Sequence, residues 1–203
     1  MRRRLVTTFA LWATLVLIPG GVSARANWDD PQPTPNNVVD IFNQRDWSWM
    51  PESSTAVTES PGGTVDNTNY AHAKATCHYC RTVAVAVQVL VVEGATDDFR
   101  PTNAAFAENV SCSYCSTFAY ANQVVLSPLH AVTIDKDARK QAEKIRDQIA
   151  STARSPISFS EMSAKLDALT QELSQVISDA IARSGAPATS DQHRQVDEKD
   201  EAP

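Results

Sequence analysis

The chain contains the same cysteine-bearing segment twice, and this duplication limits the folds open to it more than any other feature. Residues 77–89 and 112–124 are identical at eight of thirteen positions, at a constant offset of 35. All four cysteines of the 203-residue chain lie in these two copies. Self-similarity of this kind usually means supersecondary units that stack and bury a shared face. We therefore predict that the repeat, at residues 67–130, forms the core.

Three polar or aromatic positions recur together with the cysteines. We expect the two tyrosines to stack on each other, and the two threonines to cap or bond their turns. The two glutamines are expected to bond buried backbone, because a buried amide needs hydrogen-bond partners. These repeat-equivalent structural positions are Tyr79 and Tyr114, Thr82 and Thr117, and Gln88 and Gln123.

The repeat favours strands over helices. Residues 82–92 alternate small with branched side chains and are rich in valine, which is typical of a strand. Each unit is accordingly predicted as strand, Cys-x-x-Cys turn, strand. In the alternative, the spacing of Cys77, Cys80, Ala84 and Gln88 places them on one helical face. The predicted class is α+β, with a duplicated β unit followed by an antiparallel helical hairpin; the alternative is a mostly α chain with helical repeats.

The regions that flank the repeat have distinct compositions. Residues 27–66 are rich in Pro, Asn and Ser and are predicted to be an extended arm, whose tryptophans (Trp28, Trp47 and Trp49) either close over the core or form a binding patch. Residues 131–184 are predicted to be a helical hairpin, with a capping box at Ser158 and Glu161. Its apolar seam packs on the preceding helix or on a second subunit. Residues 185–203 are predicted to be a disordered acidic tail.

The N-terminus has the pattern of an export signal. Three arginines precede an apolar run of 14 residues, and the small residues at Ala24 and Ala26 predict cleavage between Ala26 and Asn27. The alternatives are cleavage after Ala24 and an uncleaved anchor, although the run is short for a membrane span. Residues 1–26 are thus predicted to be a signal peptide, and the mature protein to be secreted or extracytoplasmic, with no membrane association after cleavage.

Charge limits the classes of partner. Cleavage removes four arginines and no acidic residue from 18 basic and 24 acidic side chains, so the mature chain carries a formal charge of −10. Nucleic acids and anionic membrane surfaces attract basic patches, so the composition argues against both. The predicted partner is an unidentified protein or a second copy of the chain.

The four cysteines (Cys77, Cys80, Cys112 and Cys115) allow three chemistries. Structural disulfide bonds come first, because exported thiols meet an oxidising compartment. Bonds between the two copies are attractive, although the spacing leaves all three connectivities open. A four-cysteine zinc site is the second possibility. The third is thiol-disulfide exchange, in which His78 or Arg81 would lower a thiol pKa.

The sequence contains no catalytic constellation. Its histidines (His72, His78, His130 and His193) form no His-Glu-x-x-His arrangement, so that type of metalloprotease centre is absent from the sequence. We therefore predict a non-catalytic structural or interaction domain without a cofactor. The alternatives are an extracytoplasmic redox protein and a zinc-binding module.

The doubled motif resembles a known family segment. The residues concerned are the run 65–69, the two Cys-x-x-Cys pairs, the valine-rich run 82–89, Pro101-Thr102-Asn103, Thr117 and Gln123. Together they are similar to a cysteine-repeat segment of actinobacterial exported or membrane proteins catalogued as peptide zinc metalloprotease proteins. The resemblance covers roughly residues 36–180. Larger members carry a protease-like body that this chain lacks, so the resemblance implies an extracytoplasmic domain and no protease activity.

Overall fold

The computed structural model describes residues 36–201. Along the chain these residues form six strands, then two helices, then a seventh strand. The elements are β1 (Asn37–Asn43), β2 (Trp49–Ser60), β3 (Gly63–Ala75), β4 (Arg81–Val92), β5 (Thr96–Asn109), β6 (Cys115–Pro128), α1 (Lys136–Ala153), α2 (Phe159–Arg183) and β7 (Ala188–Glu201).

The first six strands form a parallel β-solenoid of three rungs. Rung 1 is β1 and β2, rung 2 is β3 and β4, and rung 3 is β5 and β6. The first strand of each rung lies in sheet A, with order β1-β3-β5, and the second lies in sheet B, with order β2-β4-β6-β7. Because every rung runs along sheet A, turns and returns along sheet B, neighbouring strands in both sheets are parallel.

The chain is α+β, but the predicted architecture is wrong. Strands make up 53% of the described residues and helices 26%, which also excludes the mostly α alternative. The solenoid has three rungs where a duplication was predicted, and the chain does not end in the helical hairpin because β7 follows it. The two strands of a rung lie in different sheets, so the Cys-x-x-Cys turns connect sheets and do not close hairpins.

The two central strands of sheet B, β4 and β6, are buried on both faces. The even-numbered side chains of β4 in this region, such as Ala84 and Ala86, pack between the sheets with Ala71, Ala105 and Ala119. The odd-numbered valines of β4, from Val83 to Val91, pack against the helices. A strand buried on both faces reads as a continuous apolar run, which is the pattern of buried parallel sheets.

The helices cover the outer face of sheet B. Helix α1 begins at the N-cap Asp135, whose side chain accepts the backbone N–H groups of Asp137 and Ala138. Helix α2 begins at the N-cap Ser158, which accepts the N–H of Glu161. Side chains of α2 such as Met162 and Leu173 are fully buried in the cluster that contains the valines of β4. The seam therefore packs on its own chain.

The segment after α2 returns to the sheet. Gly185 has φ 84°, a left-handed conformation that glycine adopts without steric cost, and the chain then reverses into β7. Strand β7 pairs antiparallel with β6 from Ala188 to Glu201. The prediction of a disordered tail is wrong over these residues: a highly charged strand has a ready-made partner in the edge of β6.

The predicted arm is also structured where it is described. Residues 37–60 form rung 1, and the side chains of Trp47 and Trp49 are 76% and 39% exposed, so they do not close over the core. Trp28, the predicted signal peptide at 1–26 and its predicted cleavage site at Ala26 and Asn27 lie outside the described residues. No helix within residues 36–201 has the length and apolarity needed to cross a membrane.

Candidate functional site

The turns that carry the cysteines stack on one another. Residues 44–48, 76–80 and 110–114 connect sheet A to sheet B in the three rungs. Their backbones bond from rung to rung: the N–H of Trp47 donates to the oxygen of His78 (3.0 Å), and the N–H of Tyr79 donates to that of Ser113 (2.9 Å). Apart from the first pair, the residues paired between β3 and β5 are 34 apart in sequence, whereas those paired between β4 and β6 are 35 apart. The extra residue of rung 3 lies just before Cys112, where Ser111 has φ 51°.

Three aromatic rings form a ladder along the turns. Trp47 stacks on Tyr79 at 4.1 Å between centroids, and Tyr79 stacks on Tyr114 at 4.4 Å. All three residues are left-handed, with φ 54–56°. That conformation costs a non-glycine residue about 1–2 kcal/mol. Stacking contributes about 0.5–1.5 kcal/mol per pair beyond burial, which offsets part of the cost and explains why the rings recur at these positions.

The four sulfurs lie together behind this ladder of turns. Cys77 is paired with Cys80, and Cys112 with Cys115, at disulfide distance, with Cα–Cα separations of 6.1 and 6.0 Å. The expected bonds between the copies are therefore replaced by pairs within each turn. The two pairs are nevertheless close, since all four Sγ atoms lie within 4.8 Å of one another. The Sγ atoms of Cys80 and Cys115, which belong to different rungs, are 3.6 Å apart.

Rung 1 closes the same turn without cysteines. Register places Ser48 and Arg45 where rung 2 has Cys80 and Cys77. The Ser48 hydroxyl donates to the side chain of Asn43 (2.9 Å) and also contacts the backbone oxygen of Arg45. Sequence comparison missed this rung because hydrogen bonds replace the sulfur pair. The available signal was an aromatic residue, Trp47, at the position of the tyrosines.

The repeated threonines differ in their environment. The Thr117 hydroxyl donates to the side chain of Asn109 at 3.0 Å, which holds the turn of rung 3. In rung 2 the position of Asn109 is taken by Ala75, and the buried hydroxyl of Thr82 has no hydrogen-bond partner among residues 36–201. The same repeat position therefore holds the turn in one rung and only fills space in the other.

The repeated glutamines bond along the solenoid axis. The Gln123 amide donates to the Gln88 side chain (3.0 Å) and to that of Asn67, and Gln88 donates to Thr58 (3.4 Å). Both glutamines are fully buried. Side chains of neighbouring rungs, where we expected backbone, are thus the partners of these amides.

An asparagine ladder is the polar feature that sequence reasoning missed. Asn37 donates to the side chain of Asn69, and Asn69 to that of Asn103, both at 2.7 Å. Each also donates to a backbone oxygen of sheet B, which ties the two sheets together. The repeated Thr-Asn at 68–69 and 102–103 was the signal for it.

The surroundings of the sulfurs give little support to thiol-disulfide exchange. Cys77, Cys80 and Cys115 are at most 5% exposed, and only Cys112 is partly exposed. Arg81 points to the helices, where its guanidinium donates to the backbone oxygen of Ile157 and lies 4.4 Å from the centre of the Phe159 ring. Burial there lowers the pKa of Arg81. Its charge is directed away from the thiols that it was expected to activate.

The outer face of sheet A contrasts with the covered face of sheet B. We call sheet A face the nine outward positions at which β1, β3 and β5 lie side by side, which are Val38, Asp40, Phe42, Tyr70, His72, Lys74, Ala104, Phe106 and Glu108. Val38, Phe42 and Phe106 are 45–53% exposed. His72 contacts Asp40 at 2.9 Å, and Lys74 pairs with Glu108 at 3.2 Å. The face therefore combines exposed apolar side chains with two carboxylates and one ammonium group.

A shallow groove lies between the two helices. It has a volume of about 220 Å³, and its lining includes Asp137, Glu172, Asp179 and Arg183. Sites for small molecules usually have about 300–1,000 Å³ and mostly apolar walls. The groove is smaller and carries three carboxylates, so it does not have the character of a substrate pocket.

Comparison with known proteins adds no assignment. No family model, curated protein or solved structure that was compared with the chain matches it.

Proposed function

We propose that the protein is a non-catalytic, extracytoplasmic interaction domain, in which a cysteine-tied β-solenoid presents the sheet A face to a partner protein. The observation that carries the proposal is the difference between the two sheets. Helices cover the outer face of sheet B, whereas Val38, Phe42 and Phe106 are exposed on sheet A, where the rings of Phe106 and Tyr70 lie 5.9 Å apart. Apolar surface of this kind marks interaction sites.

The internal polar groups support a non-catalytic role. The asparagine and glutamine side chains are engaged in buried hydrogen bonds between rungs. The sulfurs are mostly buried and paired within their turns. A catalytic group must reach a substrate, and these groups instead hold the rungs in register. Each short disulfide loop contributes about 2 kcal/mol by the chain-entropy model.

The chemistry of the sheet A face indicates an apolar protein surface as its partner. The charged groups of the face are the carboxylates of Asp40 and Glu108 and the ammonium of Lys74, which lies 3.2 Å from Glu108, so the face has no strong field of either sign. The proposed mature chain is acidic, which disfavours nucleic acid and anionic lipid. Aromatic side chains such as Tyr70 and Phe106 on this face are typical of interaction hot spots.

Site-specific photocrosslinking in the source cells tests the proposal. A benzophenone amino acid replaces Phe106, and a matched control replaces the exposed Lys144 on α1. We expect one protein to crosslink at position 106 and not at 144, and Phe42→Ser to reduce its yield. A crosslink to a second copy would identify the partner as the chain itself. Equal products at both positions, or none at 106, would refute the proposal.

A further inference from the structure

The stacking of two Cys-x-x-Cys turns creates a four-sulfur cluster with the dimensions of a metal site. All four Sγ atoms lie within 4.8 Å of one another, and those of Cys80 and Cys115 are 3.6 Å apart. In a tetrahedral zinc tetrathiolate, Zn–S bonds of about 2.3 Å place the sulfurs roughly 3.8 Å from each other. The inter-rung distance already matches this edge of the tetrahedron.

The two sulfurs of each turn come to this place because of the fold. The backbones of the turns bond rung to rung at Tyr79 and Ser113, and the N–H of Ser116 donates to the oxygen of Cys80 at 3.0 Å. This register places both cysteine pairs on the same side of the solenoid, where sheet A connects to sheet B. Within each pair the Cα atoms are about 6 Å apart, so the sulfurs separate by side-chain rotation once their bond is reduced.

The geometry points to a zinc site: we infer that the reduced chain binds one Zn²⁺ ion through the thiolates of Cys77, Cys80, Cys112 and Cys115. An external phosphine reduces each disulfide with two electrons and one water, so that the two bonds give four thiols and each phosphine becomes its oxide. Zinc binding then releases four protons and transfers no electrons. Four thiolates and a closed, buried position are characteristic of structural zinc.

One contact must change when the metal enters. The backbone oxygen of Cys77 lies 2.9 Å from the sulfur of Cys112 and 2.6 Å from that of Cys115. Thiolates and a carbonyl oxygen repel each other, so these two sulfurs move away from it and toward the ion. Disulfides and zinc therefore exclude each other at this site. The inference does not rest on the proposed function, since it concerns the turns and not the sheet A face.

Metal loading of the full chain tests the inference. The chain is reduced with a phosphine under anaerobic conditions, mixed with zinc chloride and freed of unbound metal by gel filtration. We expect about one zinc ion per reduced chain, by the usual stoichiometry of a four-cysteine site. We expect none in the oxidised chain. Cobalt in place of zinc should give the intense visible bands of a tetrahedral thiolate complex.

Two variants serve as comparison. Cys77→Ser combined with Cys112→Ser removes one ligand from each turn and should bring the metal-to-chain ratio close to zero. Ser113→Ala alters the same turn without removing a sulfur and should load like the wild type. If the double variant does not fold, the oxidised wild-type chain remains the metal-free reference. A reduced wild-type chain that takes up no zinc, or a double variant that loads equally, would overturn the inference.

Discussion

At the residue scale, the two faces of β4 carry side chains of different size around Ala84 and Ala86. Alanines of β3, β4, β5 and β6 meet between the sheets, whereas valines of β4 meet the helices. Ala86 and Val85 are neighbours in sequence, both fully buried, and belong to different cores. Protein interiors are close-packed, so an added methyl group is resisted as strongly as a lost one.

Exchanging sizes at these neighbours should destabilise the protein in both directions. Overpacking by Ala86→Val is expected to lower the free energy of unfolding by about 1–3 kcal/mol. The cavity left by Val85→Ala should cost about 2–3 kcal/mol. Urea unfolding at neutral pH measures both changes. Val38→Ala on the exposed face is the control and should change stability by less than about 0.5 kcal/mol; a neutral Ala86→Val would contradict the tight inter-sheet packing.

Ionisation of the buried Tyr120 hydroxyl should lower the free energy of unfolding at alkaline pH. Burial raises the pKa of Tyr120 to about 12 from 10.0, with its hydroxyl donating to Asp167 (2.9 Å) and accepting from Asn122 (2.8 Å). Because the folded-state pKa is raised, the stabilisation is complete below pH 10 and is lost as pH rises toward 12. The loss should approach about 3 kcal/mol.

Tyr120→Phe is the matched test of this pH dependence. The variant should lose about 1 kcal/mol at neutral pH with the hydrogen bonds. Urea unfolding at a series of pH values above 9 should then show a shallower decline than in the wild type. Parallel declines in the two proteins would show that another group controls the alkaline limit.

The cysteine pairing gives a clear digestion pattern. Trypsin cleaves after Lys74 and Arg81, so Cys77 and Cys80 leave in residues 75–81, and Cys112 and Cys115 remain in a separate peptide. Without reduction we expect two unlinked peptides, each lighter than its reduced form by two hydrogens, because the bonds lie within the turns. Mass spectrometry of the oxidised chain reads this directly. A single product joined across the two peptides would contradict the pairing.

At the element scale, the edges of the sheets explain the position of β7. Strand β6 would otherwise present a row of unpaired backbone groups, which is a site for aggregation. Strand β7 pairs with it over 14 residues and places Asp197 where it accepts the backbone N–H of Ala107 in β5 at 2.9 Å. Its many charged residues then face solvent at the new edge of sheet B. At the opposite edge, Pro51 in β2 lacks a donor, which also disfavours further pairing.

Removing β7 should therefore expose a reactive edge. A chain that ends at Pro187 is expected to be less stable and to self-associate, since the edge of β6 becomes available to another copy. Sedimentation velocity compares it with a chain that lacks only the last two residues, which should behave as the full chain does. A truncated chain with unchanged stability and association would contradict the role of β7.

The sequence contained enough information for some elements and not for others. The two helices have caps and apolar periodicity within one segment, so local rules locate Asp135 and Ser158. Rung 1 lacks cysteines, and the equivalence of Asn37 with Asn69 and of Trp47 with Tyr79 is evident only from strand register. Strand β7 is mostly polar and charged, and it forms because it pairs with β6, so no local pattern predicts it.

The candidate site was predictable in its residues and not in its geometry. The doubled motif identified the four cysteines. The partner of each sulfur depends on how the two turns are arranged in space, which the motif does not specify. Stacking brings Cys80 and Cys115 to 3.6 Å and still leaves the pairs within the turns. The sheet A face was not identified, because Phe42 and Phe106 are far apart in sequence and come to the same face only when three parallel strands align.

At the scale of the whole molecule, the account depends on three parallel rungs in register. The aromatic, asparagine and glutamine contacts all run perpendicular to the strands, and each requires equivalent residues of successive rungs to lie directly above one another. The same register juxtaposes the four sulfurs and assembles the sheet A face. A different register between rungs 2 and 3 would therefore remove the candidate metal site and the interaction face together.

Nuclear Overhauser spectroscopy of the isotopically labelled chain tests this register most directly. We expect backbone contacts of the parallel type that connect Ser53 to Val85 and Val85 to Tyr120, which are register partners in sheet B. Strong Hα–Hα contacts between β3 and β4 across the Cys77–Cys80 turn would instead show an antiparallel hairpin and would contradict the solenoid.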